Sequence, residues 1–246
     1  MNLILIKYQK SLWNPAIKRG NCLGKISNNM RTHIENFNPD VNLLQDTHQD
    51  FLMKVRYFNA GRDYVNFNDF ISAEAVEYAQ QGEGVTYVVW NIIYNEEEVE
   101  VGRDLVAFYT LATTAIPYED RVRRDEEEAK ETGEEFDIQI CGIPALEIKM
   151  FAVAEKYQDV FYKYEGEDMP ISAWIMRSII DTAESMLKNT IGFKALFLHS
   201  VPGAEKFYEH NGFSKMAINM RPLHSLDSEY TAMYLSLREV EMNYDK

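Results

Sequence analysis

Cysteine is nearly missing from this 246-residue chain: Cys22 and Cys141 are the only two, and their contexts are unrelated. Two such residues make neither a disulfide framework nor a metal-ligand set, which fits a reducing compartment. Positive charge is also short. Lys and Arg number 25 against 39 Asp and Glu, leaving a formal charge of −14. A surface of that sign repels phosphate backbones, so nucleic acid is disfavoured as a partner unless a basic face is concentrated somewhere. Long apolar runs are absent too. Leu3-Ile4-Leu5-Ile6 is ended by Lys7, too short for a signal-peptide core or a membrane span, and nothing else approaches about 18 apolar residues. The chain reads as cytoplasmic, with no membrane partner.

What is present is a chain 46% hydrophobic and 26% charged, enough for one large globular domain or one domain with an extension. Residues 1–45 are rich in Asn with scattered Pro and Gly, without a sustained period, and are read as an N-terminal extension ahead of a domain at 46–246. Phe70, Ala73, Val76 and Ala79 predict a short amphipathic helix over 69–81, stopped by Gly82 and Gly84. Strands are predicted at 86–94 and 104–113, where β-branched and aromatic residues are dense, joined as an antiparallel hairpin. Pro117 to Asp137 holds ten acidic residues against four basic ones. It is read as an acidic insertion at about 117–138: a solvated excursion between strands, with an acidic contact surface as the other reading.

Pro144–Val153 is a largely apolar, central strand. Asp168 and Pro170 then open a long helix whose apolar stripe runs Ile171, Trp174, Ile175, Ile179, Ala183, Met186, Leu187, with Asp168 as its N-cap. A buried strand follows at 193–200, then a short helix over 202–211 closed by Gly212. Last strands are expected at 216–220 and 231–237. Helices interleaved with strands, and antiparallel pairs at each end, indicate an α/β protein with a mixed sheet. His199 and His210 lack metal-ligand spacing to any partner, so no metal site is expected and both read as core or surface residues.

Four blocks in order resemble the Gcn5-related N-acetyltransferase (GNAT) family: Ile143 to Gln158 its fourth strand and cofactor-loop entry, Ile191 to Val201 its fifth strand, Ala204 to Phe213 its "A-x-x-F-Y-x-x-x-G-F" helix, and Phe108–Thr113 the "F-Y-[ST]-L-A-T" strand of its tRNA-acetylating toxin branch. The resemblance implies an acyl-CoA N-acyltransferase fold and acetyl transfer from acetyl-CoA, as co-substrate, to an amine by direct attack. It implies that the main chain of Phe151, Ala152 and Val153 pairs with the pantetheine arm and that Gln158, Ala204 and Phe207 also touch the cofactor. Tyr208, by match to the family's tyrosine, would protonate the departing thiolate; its other reading is a packing aromatic beside Phe207. Glu147 could assist amine deprotonation but is read first as a surface carboxylate.

The sequence departs from the family in the cofactor loop. Where "[QR]-x-x-G-x-[GA]" is required, Gln158 is followed by Asp159-Val160-Phe161-Tyr162, and Asp159, Glu165, Glu167 and Asp168 crowd the expected diphosphate position. The interval from Gln158 to Tyr208 is longer than in the toxin-like branch. Where that branch carries an arginine and an aspartate stand Met150 and Ala154, and Arg121, Arg123 and Arg124 sit beside the acidic run, so transfer RNA is disfavoured as a substrate. Three readings stand: an N-acetyltransferase acting on a small or peptidic amine, a catalytically inactive domain of this fold that binds a protein partner, and a toxin of a toxin–antitoxin pair. A homodimer is compatible with each.

Overall fold

The computed structural model describes residues 32–124, 132–133, 136–216 and 230–237. The strand expected over 216–220 lies, beyond Met216, outside those residues, as do residues 125–131 and 134–135 of the acidic stretch. The chain divides into a first unit, Gln9–Ala112 with Ile148–Thr182, and a second, Met1–Tyr8 with Thr113–Glu147 and Ala183–Lys246.

In the first unit β1 (Thr32–His33) and β2 (Pro39–Leu43) precede α1 (Gln49–Arg56). β2 pairs antiparallel with β3 (Val85–Tyr94), Val41 facing Val89, so part of the span read as an extension is hydrogen-bonded into the sheet. The expected helix at 69–81 starts earlier: α2 (Val65–Asp69) passes through a π turn at Phe70–Glu74 into α3 (Ala75–Gln80). β3 and β4 (Glu100–Arg123) form the expected antiparallel pair, with register shifts at Val89/Trp90 and Ile93/Tyr94. The unit contains the strand order β2-β3-β4-β5, β5 being Phe136–Val153.

Val88, Trp90, Phe108 and Tyr109 are almost wholly buried, as are Ile171, Ile175, Met176 and Ile179 of α4 (Ile171–Asn189). Each such aliphatic side chain contributes about 1.5–3 kcal/mol by leaving water. The three-and-four spacing predicted for this helix is the spacing observed. Two strands that the sequence reading lacked, β6 (Val160–Tyr164) and β7 (Glu167–Pro170), stand between β5 and α4.

The second unit contains the order β4-β5-β8-β10-β9, with β8 at Ala195–Ser200, β9 at Ser214–Lys215 and β10 at Thr231–Ser236. β8 is buried along nearly its whole length and pairs antiparallel with β10, Leu198 facing Met233. Ile116, Ala145, Ala195 and Phe197 form a core cluster, with Ile143, Met216, Ala232 and Tyr234 packed around it. The acidic stretch corrects the expectation of a solvated excursion: β4 runs on to Arg123 and β5 starts at Phe136, so both ends of the stretch are strand. Arg124 spans them, its Nε 2.7 Å from Asp137 Oδ1.

Gly84 sits where α3 hands over to β3. A Cβ there would lie 2.9 Å from a ring carbon of Tyr78 and 3.0 Å from the Leu111 carbonyl oxygen. Gly84→Ala is therefore expected to destabilise the protein by about 1–3 kcal/mol, seen as a lower urea midpoint at unchanged m. An unchanged midpoint would mean that strand and helix separate there at no cost.

Candidate functional site

The second unit holds the tyrosine helix, α5 (Glu205–His210). Ala204 occupies its N-cap position, and the Tyr208 N–H donates to the Ala204 carbonyl at 3.3 Å. The helix ends at once: Asn211 N–H and Phe213 N–H both donate to the Tyr208 carbonyl at 3.0 Å, and Gly212 takes the positive φ that the turn requires. Tyr208 is buried, its ring 5.2 Å from Phe207 and 5.8 Å from Phe213. Burial pushes its phenol pKa well above the ordinary value. At neutral pH the hydroxyl keeps its proton, the state a proton donor needs.

Glu205 anchors this helix to the sheet. Its carboxylate accepts from Thr231 Oγ1 at 2.6 Å and from Lys215 Nζ at 3.0 Å. Those contacts, the threonine hydroxyl first, hold its pKa below the ordinary 4.5.

Glu147 is not the surface carboxylate expected from sequence. It is 6% exposed on β5, and its Oε1 lies 3.5 Å from Nδ1 of His199 on the neighbouring strand β8. Phe197 packs edge-on against the imidazole at 4.8 Å, and His199 Nε2 is buried without a hydrogen-bond partner. The period-two placement of Ala145 and Glu147, and of Ala195, Phe197 and His199, was available in sequence. The pairing of the two strands that brings them together was not. His210 is exposed, its Nδ1 against the Lys206 carbonyl. Among the described residues no cluster of three His, Cys, Asp or Glu could hold a metal ion.

The cofactor-loop residues lie in the first unit. Ala152 and Val153 are buried and Phe151 is half-buried at the end of β5. Ala154 N–H donates to the Val106 carbonyl at 2.8 Å, carrying the ladder one residue past the strand. Gln158 folds back: its Nε2 donates at 2.9 Å to both Val153 O and Ala60 O. The turn is closed by a side-chain amide rather than by glycine.

Asp159, at φ 59°, then starts a hairpin. β6 and β7 pair antiparallel from Phe161–Pro170 to Tyr164–Glu167, and the two turn residues, Glu165 (φ 50°) and Gly166 (φ 88°), both lie in the left-handed region, as a type I′ turn demands. β1 adds in parallel to β6, and Phe37 packs on Tyr162 at 4.9 Å and on Trp174 at 5.5 Å. The insertion in the loop is this hairpin.

Asp168 does not sit at the N-cap position of α4. It lies in β7 opposite Lys163, with Lys163 Nζ at 2.6 Å and His33 Nδ1 at 3.8 Å. Pro170 is the last residue of β7 rather than part of the first helical turn. A glycine cradle for a diphosphate is not built between Ala154 and Asp159. Of the four carboxylates crowding the loop, Asp168 has its own cation.

No family model matches the chain, and no curated protein matches its sequence. Solved structures do. The chain is similar to the crystal structure of AtaTR bound with acetyl-CoA, at 16% identity and TM-score 0.51, covering 80% of this chain and 93% of that one. It is similar also to a tyrosine-to-phenylalanine mutant of the AtaT toxin (16%, TM-score 0.51, 82% and 91% covered) and to AtaT complexed with acetyl-methionyl-tRNAfMet (15%, TM-score 0.50, 81% and 95% covered). At such identities the likeness defines architecture: the chain has the mixed α/β fold of the Gcn5-related N-acetyltransferases.

Two expectations follow. Gln158→Ala removes both carbonyl ties of the turn and should lower stability by about 1–3 kcal/mol while accelerating amide exchange over 154–159; exchange unchanged there would show that the turn holds without it. Glu205→Gln should narrow the stability gap to wild type as pH falls. A lowered folded-state pKa contributes stability above the ordinary 4.5, which is lost on acidification through the folded value. Urea midpoints measured from pH 7 to pH 3 check this; a gap independent of pH contradicts it.

Proposed function

We propose that the chain is an acetyl-CoA-dependent N-acetyltransferase that passes an acetyl group to an amine by direct attack. The observation that carries this reading is Tyr208: a buried tyrosine that holds its proton, on the helix following β8, in a fold whose solved relatives include one bound with acetyl-CoA. Acetyl-CoA, as co-substrate, supplies an activated acyl carbon and a thiolate leaving group. Tyr208 donates its proton to the sulfur as that group departs. Main-chain N–H groups at Phe151–Val153 fit the pantetheine pairing and carbonyl polarisation that the fold implies, an electrostatic contribution of about 3–4 kcal/mol where measured for single donors.

The acceptor is an amine on a small molecule or a peptide. A net charge of −14 disfavours a polyanion, although one structural relative is complexed with acetyl-methionyl-tRNAfMet. Among the described residues no helix is long and apolar enough to cross a membrane.

A second reading has its own observation. The β6–β7 hairpin fills the loop in which the family holds its diphosphate, and this favours a protein-binding domain that has lost catalysis. A toxin acting beside an antitoxin is the third reading and rests on the same relatives, some of them bound to an antitoxin.

Acetyl-CoA titration separates the first two. Ligand at 100 times its Kd should stabilise the protein by about 2.7 kcal/mol in thermal unfolding. No shift at millimolar acetyl-CoA sinks the enzyme reading. Given binding, Tyr208→Phe should lower kcat by about 100-fold or more with the Kd for acetyl-CoA unchanged. Undiminished turnover would remove Tyr208 as the acid.

A further inference from the structure

The buried pair on β5 and β8 has no place in the reading so far. We propose that His199 is the base that takes the proton of the attacking amine and that Glu147 is the residue positioning it; this rests on the acetyltransferase reading above. An ionised carboxylate only accepts hydrogen bonds. With Glu147 Oε1 3.5 Å from Nδ1, the tautomer carrying its proton on Nδ1 is favoured, and the lone pair falls on Nε2. That nitrogen is buried and has no hydrogen-bond partner. Native interiors seldom leave such an acceptor unsatisfied without a use.

The bland alternative is an imidazole that merely packs on Phe197. It accounts for the ring but not for a carboxylate with an 8%-exposed side chain set against one of its nitrogens. Burying that charge is unfavourable unless it is compensated. A carboxylate that orients an imidazole whose far nitrogen is open for a proton is the arrangement by which hydrolases activate nucleophiles, recognised by roles rather than by sequence. The His199 side chain is 31% exposed, so the cover over Nε2 is shallow. An amine reaches it directly on binding or through one water.

The step balances without a further reactant. The amine nitrogen forms a bond to the acyl carbon, the carbon–sulfur bond of the thioester breaks, the nitrogen's proton passes to His199 Nε2, and the Tyr208 proton passes to sulfur. His199 then releases its proton to solvent and Tyr208 recovers one, restoring both groups.

The test uses the full chain with acetyl-CoA and two acceptors bearing one α-amine, methioninamide and methionyl-tRNA. His199→Gln is expected to lower kcat by about 100-fold with the KM for acetyl-CoA within about twofold, and imidazole in solution is expected to restore turnover to His199→Ala. Glu147→Gln, whose amide can also donate to Nδ1, is expected to lower kcat by about tenfold or more. Nitrogen-15 NMR of the wild-type imidazole should show Nδ1 protonated and Nε2 bare, a preference lost in Glu147→Gln. A wild-type protein that acetylates either acceptor, with His199→Gln undiminished or with the proton on Nε2, overturns the proposal alone. A wild-type protein that acetylates neither overturns the acetyltransferase reading, and the proposal falls with it. Should His199→Gln fail to fold by thermal midpoint, the wild-type tautomer and the Glu147→Gln rate decide.

Discussion

One side-chain amide sets how the chain leaves its central strand. Gln158 Nε2 donates both of its protons, to the carbonyls of Val153 and Ala60, at 2.9 Å each. A carbonyl at the end of a buried strand needs a partner, and loops usually provide one through backbone N–H groups or water. Here the partner is the side chain five residues on, so the main chain from Ala154 to Asp159 is folded back on itself by a tether. The left-handed Asp159 follows, then the hairpin, and only then α4. A glycine-rich turn would leave its amides aimed outward for an anion. A glutamine-closed turn spends its geometry on its own carbonyls, and the recognition element that results is a strand pair instead of a nest of amides.

The second unit solves a different problem with the same economy. Tyr208 sits on a helix of six residues, far too short to be stable by itself. Its position is determined from outside: Glu205 is bonded to a threonine of β10 and a lysine of β9, and Phe207 and Phe213 flank the phenol. The aromatic surroundings that fix the ring also disfavour phenolate, so one packing arrangement accounts for both placement and protonation state. A proton donor needs both.

Much of this architecture was legible in sequence because its signals are local. The stripe from Ile171 through Ile179 repeats at three and four residues, and the dense β-branched runs at 86–94 and 193–200 have no competing reading. The hairpin was missed for a physical reason. Val160-Phe-Tyr-Lys-Tyr164 is good strand sequence, but its type I′ turn uses Glu165 ahead of Gly166 where Asn or Asp is the usual signal, and a glutamate at φ 50° is not expected from propensity. Asp168 shows the converse. Its spacing ahead of α4 suits a cap, yet pairing with Lys163 across the hairpin claims it for β7. Glu147 was misjudged because burial of a carboxylate depends on which strand lies beside it, and that is a tertiary fact.

The charge of the loop bears on whether the acetyl donor can bind, and magnitudes decide it. Asp159, Glu165 and Glu167 are exposed, and Asp168 has Lys163 at 2.6 Å. An unscreened pair of like charges about 4 Å apart repels by about 1 kcal/mol in water, and salt at physiological strength screens beyond about 8 Å. Three exposed carboxylates on a hairpin therefore weaken diphosphate binding by a few kcal/mol at most, less if the phosphates pass at a distance. Loss of the glycine amides is the larger deficit, because no exposed side chain of the hairpin replaces several N–H groups converging on one anion. A donor that binds this chain must draw its affinity from the pantetheine arm and the strand edge, so affinity should depend on ionic strength only weakly.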